Sequence, residues 1–103
     1  MNEHIAKEKQ LLRGVRDFSR SLAKRYNINR VYLFGSLAEG MFLKGSDVDI
    51  AVEGMKFEDY LKALAEHRSI RKGIHLDILS LDLCKSELKE TILKEGKVLY
   101  EKK

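Results

Sequence analysis

Two short segments with alternating apolar and polar residues place the strongest constraint on the fold of this chain. Residues 47–53 and 74–80 change character at every second position, the period of a β-strand with one buried face. The polar positions include Asp47 and Asp49 in the first segment and Asp77 in the second. Carboxylates at positions i and i+2 of a strand share a face, with Cα atoms roughly 6.5 Å apart. If the two strands are neighbours in one sheet, all three carboxylates converge on the same side.

The remaining segments alternate between helical and strand patterns. An apolar period near 3.6 predicts a long first helix whose inner stripe includes Leu12, Val15 and Leu22. In chain order the pattern predicts a helix over 4–26, a strand over 29–34, a helical turn over 37–42, a strand over 47–53, a helix over 57–68, a strand over 74–80, a helix over 85–95 and a short edge strand over 98–100. This order indicates one α/β or α+β domain over 1–103, with an N-terminal helix in 1–27 and a core in 29–101.

Composition excludes several classes of protein. The chain has 103 residues and is 44% hydrophobic, which suffices for one core. No apolar run approaches the ~20 residues of a membrane span, and the first residues lack the apolar centre of a signal peptide. Cys84 is the single cysteine of the sequence, so no internal disulfide can form. A cytoplasmic protein without a membrane partner is therefore expected.

Charge is distributed unevenly along the chain. Residues 1–30 hold eight lysines and arginines against three acids, whereas residues 31–84 hold six against nine. The acidic segment contains the three aspartates, which favours cation binding there. The basic opening segment is compatible with nucleic acid, with an acidic partner or with a solvated face, and the solvated face is the favoured interpretation.

A glycine-serine pair precedes the aspartates at a defined distance. Gly35 and Ser36 follow the predicted strand over 29–34, and ten residues separate Ser36 from Asp47. A turn at this point exposes backbone N–H groups, which can hold phosphate oxygens. A phosphate cradle beside clustered carboxylates indicates nucleotide chemistry. Three carboxylates so close together raise one another's pKa unless a cation neutralises them, and Mg²⁺ prefers such oxygen ligands.

These residues resemble the signature of the DNA polymerase β-like nucleotidyltransferase superfamily. That signature is an apolar residue, Gly-Ser, a spacer of this length, and then Asp-apolar-Asp-apolar, matched here by Phe34, Gly35-Ser36 and 47–50. The short chain is most similar to the minimal nucleotidyltransferases, and residues 95–101 resemble their ending. Leu37 and Glu39 depart from the pattern, because many relatives carry arginine at these two places.

The resemblance implies a small mixed sheet in which the aspartate-bearing strands are adjacent. It further implies ATP as substrate and two Mg²⁺ ions held by Asp47, Asp49 and Asp77, with Asp77 as general base. Nucleotide phosphates would contact Gly35, Ser36 and Ser46.

Minimal nucleotidyltransferases are often paired with helical HEPN proteins in modules that resemble toxin–antitoxin systems. The resemblance therefore implies an antitoxin that forms a hetero-oligomer with a HEPN toxin and transfers AMP to its tyrosine hydroxyl. Two alternatives stay open: a catalytically silent antitoxin that inhibits by binding, and a catalytic subunit that modifies a small molecule. No nucleic acid is expected as a partner, although the basic first helix leaves that function as a weaker option.

Overall fold

Helices and strands alternate along the part of the chain that the structure describes. The computed structural model describes residues 3–35, 38, 47–66, 69–71 and 74–103, with the backbone alone for 3–7, 69–71 and 74. Its elements are α1 (Glu3–Arg25), β1 (Arg30–Phe34), β2 (Val48–Glu53), α2 (Phe57–Glu66), β3 (Ser69–Arg71), β4 (Ile74–Ser80), α3 (Ser86–Glu95) and β5 (Lys97–Glu101).

The five strands form one mixed sheet in the order β3-β4-β2-β1-β5. β2 and β4 are parallel, and the other neighbouring pairs are antiparallel. The predicted adjacency of the two aspartate-bearing strands is confirmed. The register sets Asp49 opposite Asp77 across the β2–β4 pair and opposite Phe34 across the β1–β2 pair.

Apolar side chains cover both faces of the sheet. On one face, α1 and α2 pack over a large cluster that includes Leu33, Ile50 and Ile78. On the other face, α3 packs through Ile92 over a smaller cluster that includes Tyr32 and Ala51. Because side chains alternate along a strand, Asp49 and Asp77 share the α3 face with Ala51. The carboxylates therefore lie on the less covered side of the sheet.

Helix α1 is amphipathic, and its buried stripe differs by one residue from the prediction. Leu11, Val15 and Leu22 are buried, whereas Leu12 is half-buried. Leu11 lies four residues before Val15 and eleven before Leu22, so all three lie on one side of a helix. Ser19, also buried there, donates its hydroxyl to the Val15 carbonyl at 2.9 Å. None of the described helices is long and apolar enough to cross a membrane.

The α/β (α+β) architecture predicted from the sequence is confirmed, and most boundaries agree within two residues. The prediction missed β3, because a three-residue strand is too short to show alternation. It extended the second helix to 68, whereas α2 ends at Glu66. The predicted edge strand is present as β5, and the predicted turn over 37–42 lies largely outside the described residues.

Candidate functional site

Parallel pairing of β2 and β4 brings two carboxylates into direct contact. Asp49 and Asp77 are register partners, and their side chains are close enough for Asp77 to raise the pKa of Asp49 through its charge and through hydrogen bonding. The structure thus places together two of the three aspartates predicted from the sequence, on the face that the alternation indicated.

Asp49 is the electrostatically perturbed member of this group. Burial is the largest influence, and it raises the pKa of Asp49 from 3.8 to about 6 together with the negative charges of Asp77 and Asp47 and the hydrogen bond to Asp77. Each of these influences disfavours the charged carboxylate, and a bound cation would oppose all of them.

Asp47, the third predicted aspartate, immediately precedes β2 and is exposed. Its charge reaches Asp49 and helps to raise the pKa of that group. Even so, no three Asp, Glu, His or Cys side chains among the described residues form a group that could hold a metal ion. The Asp49–Asp77 pair by itself fits Mg²⁺ chemically, because it offers hard oxygen ligands whose repulsion a cation would relieve.

Gly35 lies directly after β1 and borders the site beside Asp49. Its φ of +78° lies in the left-handed region, where residues with a Cβ are strained. A Cβ at this position would stand 2.5 Å from Oδ2 of Asp49, which is closer than van der Waals contact allows. Glycine is therefore required at position 35 for two reasons: the turn needs a positive φ, and a Cβ would collide with the carboxylate of Asp49. Sequence reasoning had assigned it only to phosphate binding.

A cavity of about 420 Å³ opens beside the carboxylate pair. Asp49 and Asp77 form part of its lining, and His75 and the apolar side chains of Phe34, Leu79 and Leu88 line it as well. Sequence reasoning did not single out Leu88 for the site. Leu88 lies one helical turn before the buried Ile92 and is itself 40% exposed, which the sequence pattern does not show. Leu88 therefore adds an exposed apolar side chain to the lining of the cavity beside the two acids.

Two predicted residues of the site cannot be placed. Ser36 and Ser46 lie outside the described residues, and so do Leu37 and Glu39. The assignment of Ser36 and Ser46 to phosphate binding therefore stays a prediction. Of the predicted nucleotide-binding residues, Gly35 alone is described, and it adjoins Asp49.

The raised pKa of Asp49 predicts a specific dependence of stability on pH. The unfolded group ionises near pH 4 and the folded group near pH 6, so the folded state binds more protons between these values. Stability should therefore fall as the pH rises from about 4 to about 6, and the penalty should persist above that window. We expect about 1 kcal/mol, well below the full linkage value, because the side chain is partly solvated.

Urea denaturation of the wild type and of Asp49→Asn between pH 4 and 7 measures this effect. The free energy of unfolding of the variant minus that of the wild type should grow across the window and level off above it. Mg²⁺ added at pH 7 should stabilise the wild type more than the variant. Parallel pH profiles for the two proteins would contradict the assignment.

The chain is similar in sequence to a known protein family and to named relatives. The family described as "Polymerase beta, Nucleotidyltransferase" matches residues 18–103. The protein adenylyltransferase MntA of Thermococcus cleftensis is 30% identical over 78 residues, covering 74% of this chain and 79% of its own length. MJ0604 of Methanocaldococcus jannaschii, provisionally assigned as a protein adenylyltransferase, is 28% identical over 96 residues, covering 85% and 96%.

Solved structures agree with the fold. A structure described provisionally as a minimal nucleotidyltransferase is 31% identical to this chain and superposes with a TM-score of 0.64, covering 85% of this chain and 92% of that one. A toxin–antitoxin complex with AMP-PNP contains a chain of 23% identity and TM-score 0.63, covering 85% and 74%. The second likeness concerns the fold alone.

Proposed function

Since the chain belongs to the polymerase β nucleotidyltransferase family, we propose that it transfers AMP from ATP to a tyrosine hydroxyl of a partner toxin of the HEPN type, and that this modification makes it an antitoxin. The activity named for its relatives MntA and MJ0604 supports protein adenylylation. The toxin–antitoxin complex with AMP-PNP shares the fold of this chain, and the proposal extends to this chain a toxin partner and an adenine nucleotide of the kind named for that complex. The observation that carries the proposal is the contact between Asp49 and Asp77 beside the Gly35 turn.

Asp49 and Asp77 would hold Mg²⁺, and Asp47 would join them from the start of β2. When bound, the metal neutralises phosphate charge and lowers the pKa of the attacking hydroxyl. Gly35, Ser36 and Ser46 would contact the phosphates of the nucleotide.

The proposed reaction is a substitution at the α-phosphorus of ATP. The tyrosine oxygen forms a new bond to this phosphorus, while the bond between the phosphorus and the oxygen leading to the β-phosphate breaks. Pyrophosphate leaves with that oxygen. The hydroxyl proton passes to the carboxylate of Asp77, which is the more exposed member of the pair and so open to the acceptor.

The apolar wall of the cavity favours an aromatic acceptor. Phe34, Leu79 and Leu88 lie beside the carboxylates and offer a surface on which a phenol ring can pack with its hydroxyl directed at Asp77. A sugar or an aminoglycoside would bring polar groups to the same wall and leave them without partners. The exposed part of Leu88 would be covered in the complex.

Incubation of this chain with ATP, Mg²⁺ and a helical protein encoded by the adjacent gene tests the proposed function. Mass spectrometry should find AMP on a tyrosine of that protein after treatment with the wild type and none after treatment with Asp49→Asn. Inhibition of the toxin without added mass, by wild type and variant alike, would instead establish a silent antitoxin. AMP on a small molecule and none on protein would establish the other alternative.

Leu88→Glu should impair transfer to the protein acceptor more strongly than it weakens ATP binding. The change removes part of the apolar wall and adds a carboxylate near two others, so we expect a loss of about tenfold to a hundredfold in kcat/KM for the acceptor. Leu93→Glu is the matched control, because Leu93 is 45% exposed on the same helix and does not line the cavity. Equal losses in the two variants would contradict the assignment of the wall.

A further inference from the structure

The solvent-facing side of α1 carries a line of basic side chains. Five residues at helical spacings of four, three, four and four share this side, because successive helix residues turn by about 100°. All are exposed, and together we call them the α1 basic stripe: Lys9, Arg13, Arg16, Arg20 and Lys24. The stripe runs for about 22 Å along the helix, at a rise of 1.5 Å per residue.

Almost no negative charge offsets the stripe. Among the described residues, no carboxylate lies within 4.0 Å of a nitrogen of its side chains. Asp17 is exposed and lies four residues after Arg13 and three before Arg20, so one acid borders the five cations. Arg25 lies off the stripe, where it forms an ion pair with Glu66 at 2.9 Å. The positive charge of the stripe is therefore available to an external anion.

The stripe lies on the far side of the molecule from the carboxylate pair. Helix α1 is anchored by Leu11, Val15 and Leu22 to the sheet face opposite the one that carries Asp49 and Asp77. A ligand on the stripe would thus leave the nucleotidyltransferase site open.

We propose that the α1 basic stripe binds the phosphate backbone of a double-stranded nucleic acid without reading its sequence. A rigid line of cations matches a duplex, whose phosphates follow one another at regular short intervals. The stripe consists of lysine and arginine, which supply the phosphate contacts that dominate sequence-independent binding. This proposal departs from the expectation that nucleic acid is not a partner. Composition gives only the number of cations, whereas the helix aligns them on one exposed side.

The same helix argues against two other ligands. Exposed large apolar side chains are found on α2, α3, β5 and the turn after β4, and none among the described side chains of α1. A protein partner would need such apolar anchors at the centre of its interface. A single-stranded nucleic acid would need exposed aromatic rings for its bases, which these α1 side chains do not provide. Interfaces with a duplex are polar and strongly positive, as this stripe is.

Fluorescence anisotropy with a labelled DNA duplex of mixed sequence tests the inference on the whole chain. Between 50 and 200 mM salt, the logarithm of the binding constant should fall against the logarithm of salt with a slope of about −4.5, for five phosphate contacts. The variant Arg13→Gln/Arg16→Gln/Arg20→Gln should reduce the slope to about −2 and weaken binding at low salt by at least about tenfold.

Lys62→Gln/Lys94→Gln/Lys97→Gln is the matched control. It removes the same charge from exposed positions on α2, α3 and β5, and it should keep the slope of the wild type. Equal losses in the two triple variants would overturn the proposal, because net charge alone would then explain binding. The double variant Arg16→Gln/Arg20→Gln provides a milder test if circular dichroism shows that the triple variant is unfolded.

Competition identifies the ligand class. An unlabelled duplex should displace the probe, while polyglutamate and single-stranded DNA of equal charge should do so much less. Displacement of the probe by polyglutamate at the same concentration would indicate that the stripe binds an acidic protein segment instead. That result would overturn the proposal. Asp49→Asn should bind the duplex like the wild type, so this result is independent of nucleotidyl transfer.

Discussion

Replacement of Asp49 by asparagine is expected to abolish AMP transfer while leaving the fold at least as stable as the wild type. The substitution keeps the shape of the side chain but removes one charge of the pair with Asp77. Without that charge the site binds Mg²⁺ and orients the triphosphate poorly, so we expect transfer to fall at least about a thousandfold, or about 4 kcal/mol. Stability should not fall, because the repulsion within the acidic group is relieved.

Two measurements distinguish a loss of catalysis from a loss of folding in the Asp49→Asn variant. Transfer rates are measured under single-turnover conditions, and thermal unfolding is followed by circular dichroism at pH 7 without metal. Asp17→Asn is the control, since Asp17 is exposed on α1 and remote from the carboxylate pair. It should transfer AMP like the wild type. A variant at Asp49 that retains even a tenth of the transfer rate would remove this residue from the proposed chemistry.

Substitution of Gly35 by alanine should damage both the site and the fold. The positive φ of Gly35 is unfavourable for alanine by about 1–2 kcal/mol. The new Cβ would stand 2.5 Å from Oδ2 of Asp49, so the carboxylate or the turn must move. Because a displacement near 1 Å in a reacting group costs about a hundredfold in rate, we expect a loss of that order per folded molecule.

Gly54→Ala offers a closely matched comparison. Gly54 has a φ of +85°, and a Cβ there would stand 2.5 Å from Nδ2 of Asn29. The expected loss of stability is therefore similar. Transfer per folded molecule should be unchanged, because Gly54 lies at the Arg30–Glu53 end of the β1–β2 pair and Asp49 lies at the other. If both alanine variants lose transfer equally, the contact between Gly35 and Asp49 has no special role.

Local patterns predicted much of the fold and part of the candidate site. Alternation placed Asp49 and Asp77 on the polar faces of their strands, and helical periodicity placed Val15 and Leu22 in the core. These features depend on residues close in the chain, which a local pattern can specify. Asp47 was placed within the second strand but stands just before it, where strand ends vary most between sequence and structure.

Other features could not be predicted because they join distant segments. The exposed Leu88 became part of the candidate site only when α3 packed beside Phe34 and the carboxylates. The raised pKa of Asp49 requires both burial and the approach of a residue 28 positions away. The three-residue strand β3 is defined by pairing with β4 and not by its own composition.

By itself the sequence determined which residues could form helices and strands and which side chains share a face of each, since these follow from backbone periods of 3.6 and 2. It also supplied the acids and the glycine of the site. Tertiary structure alone decided that β2 and β4 are parallel neighbours in register, and hence that Asp49 meets Asp77 beside Gly35. The physical reason is that strand pairing is a choice between whole segments, made by burial over the entire sheet rather than by any one segment's pattern.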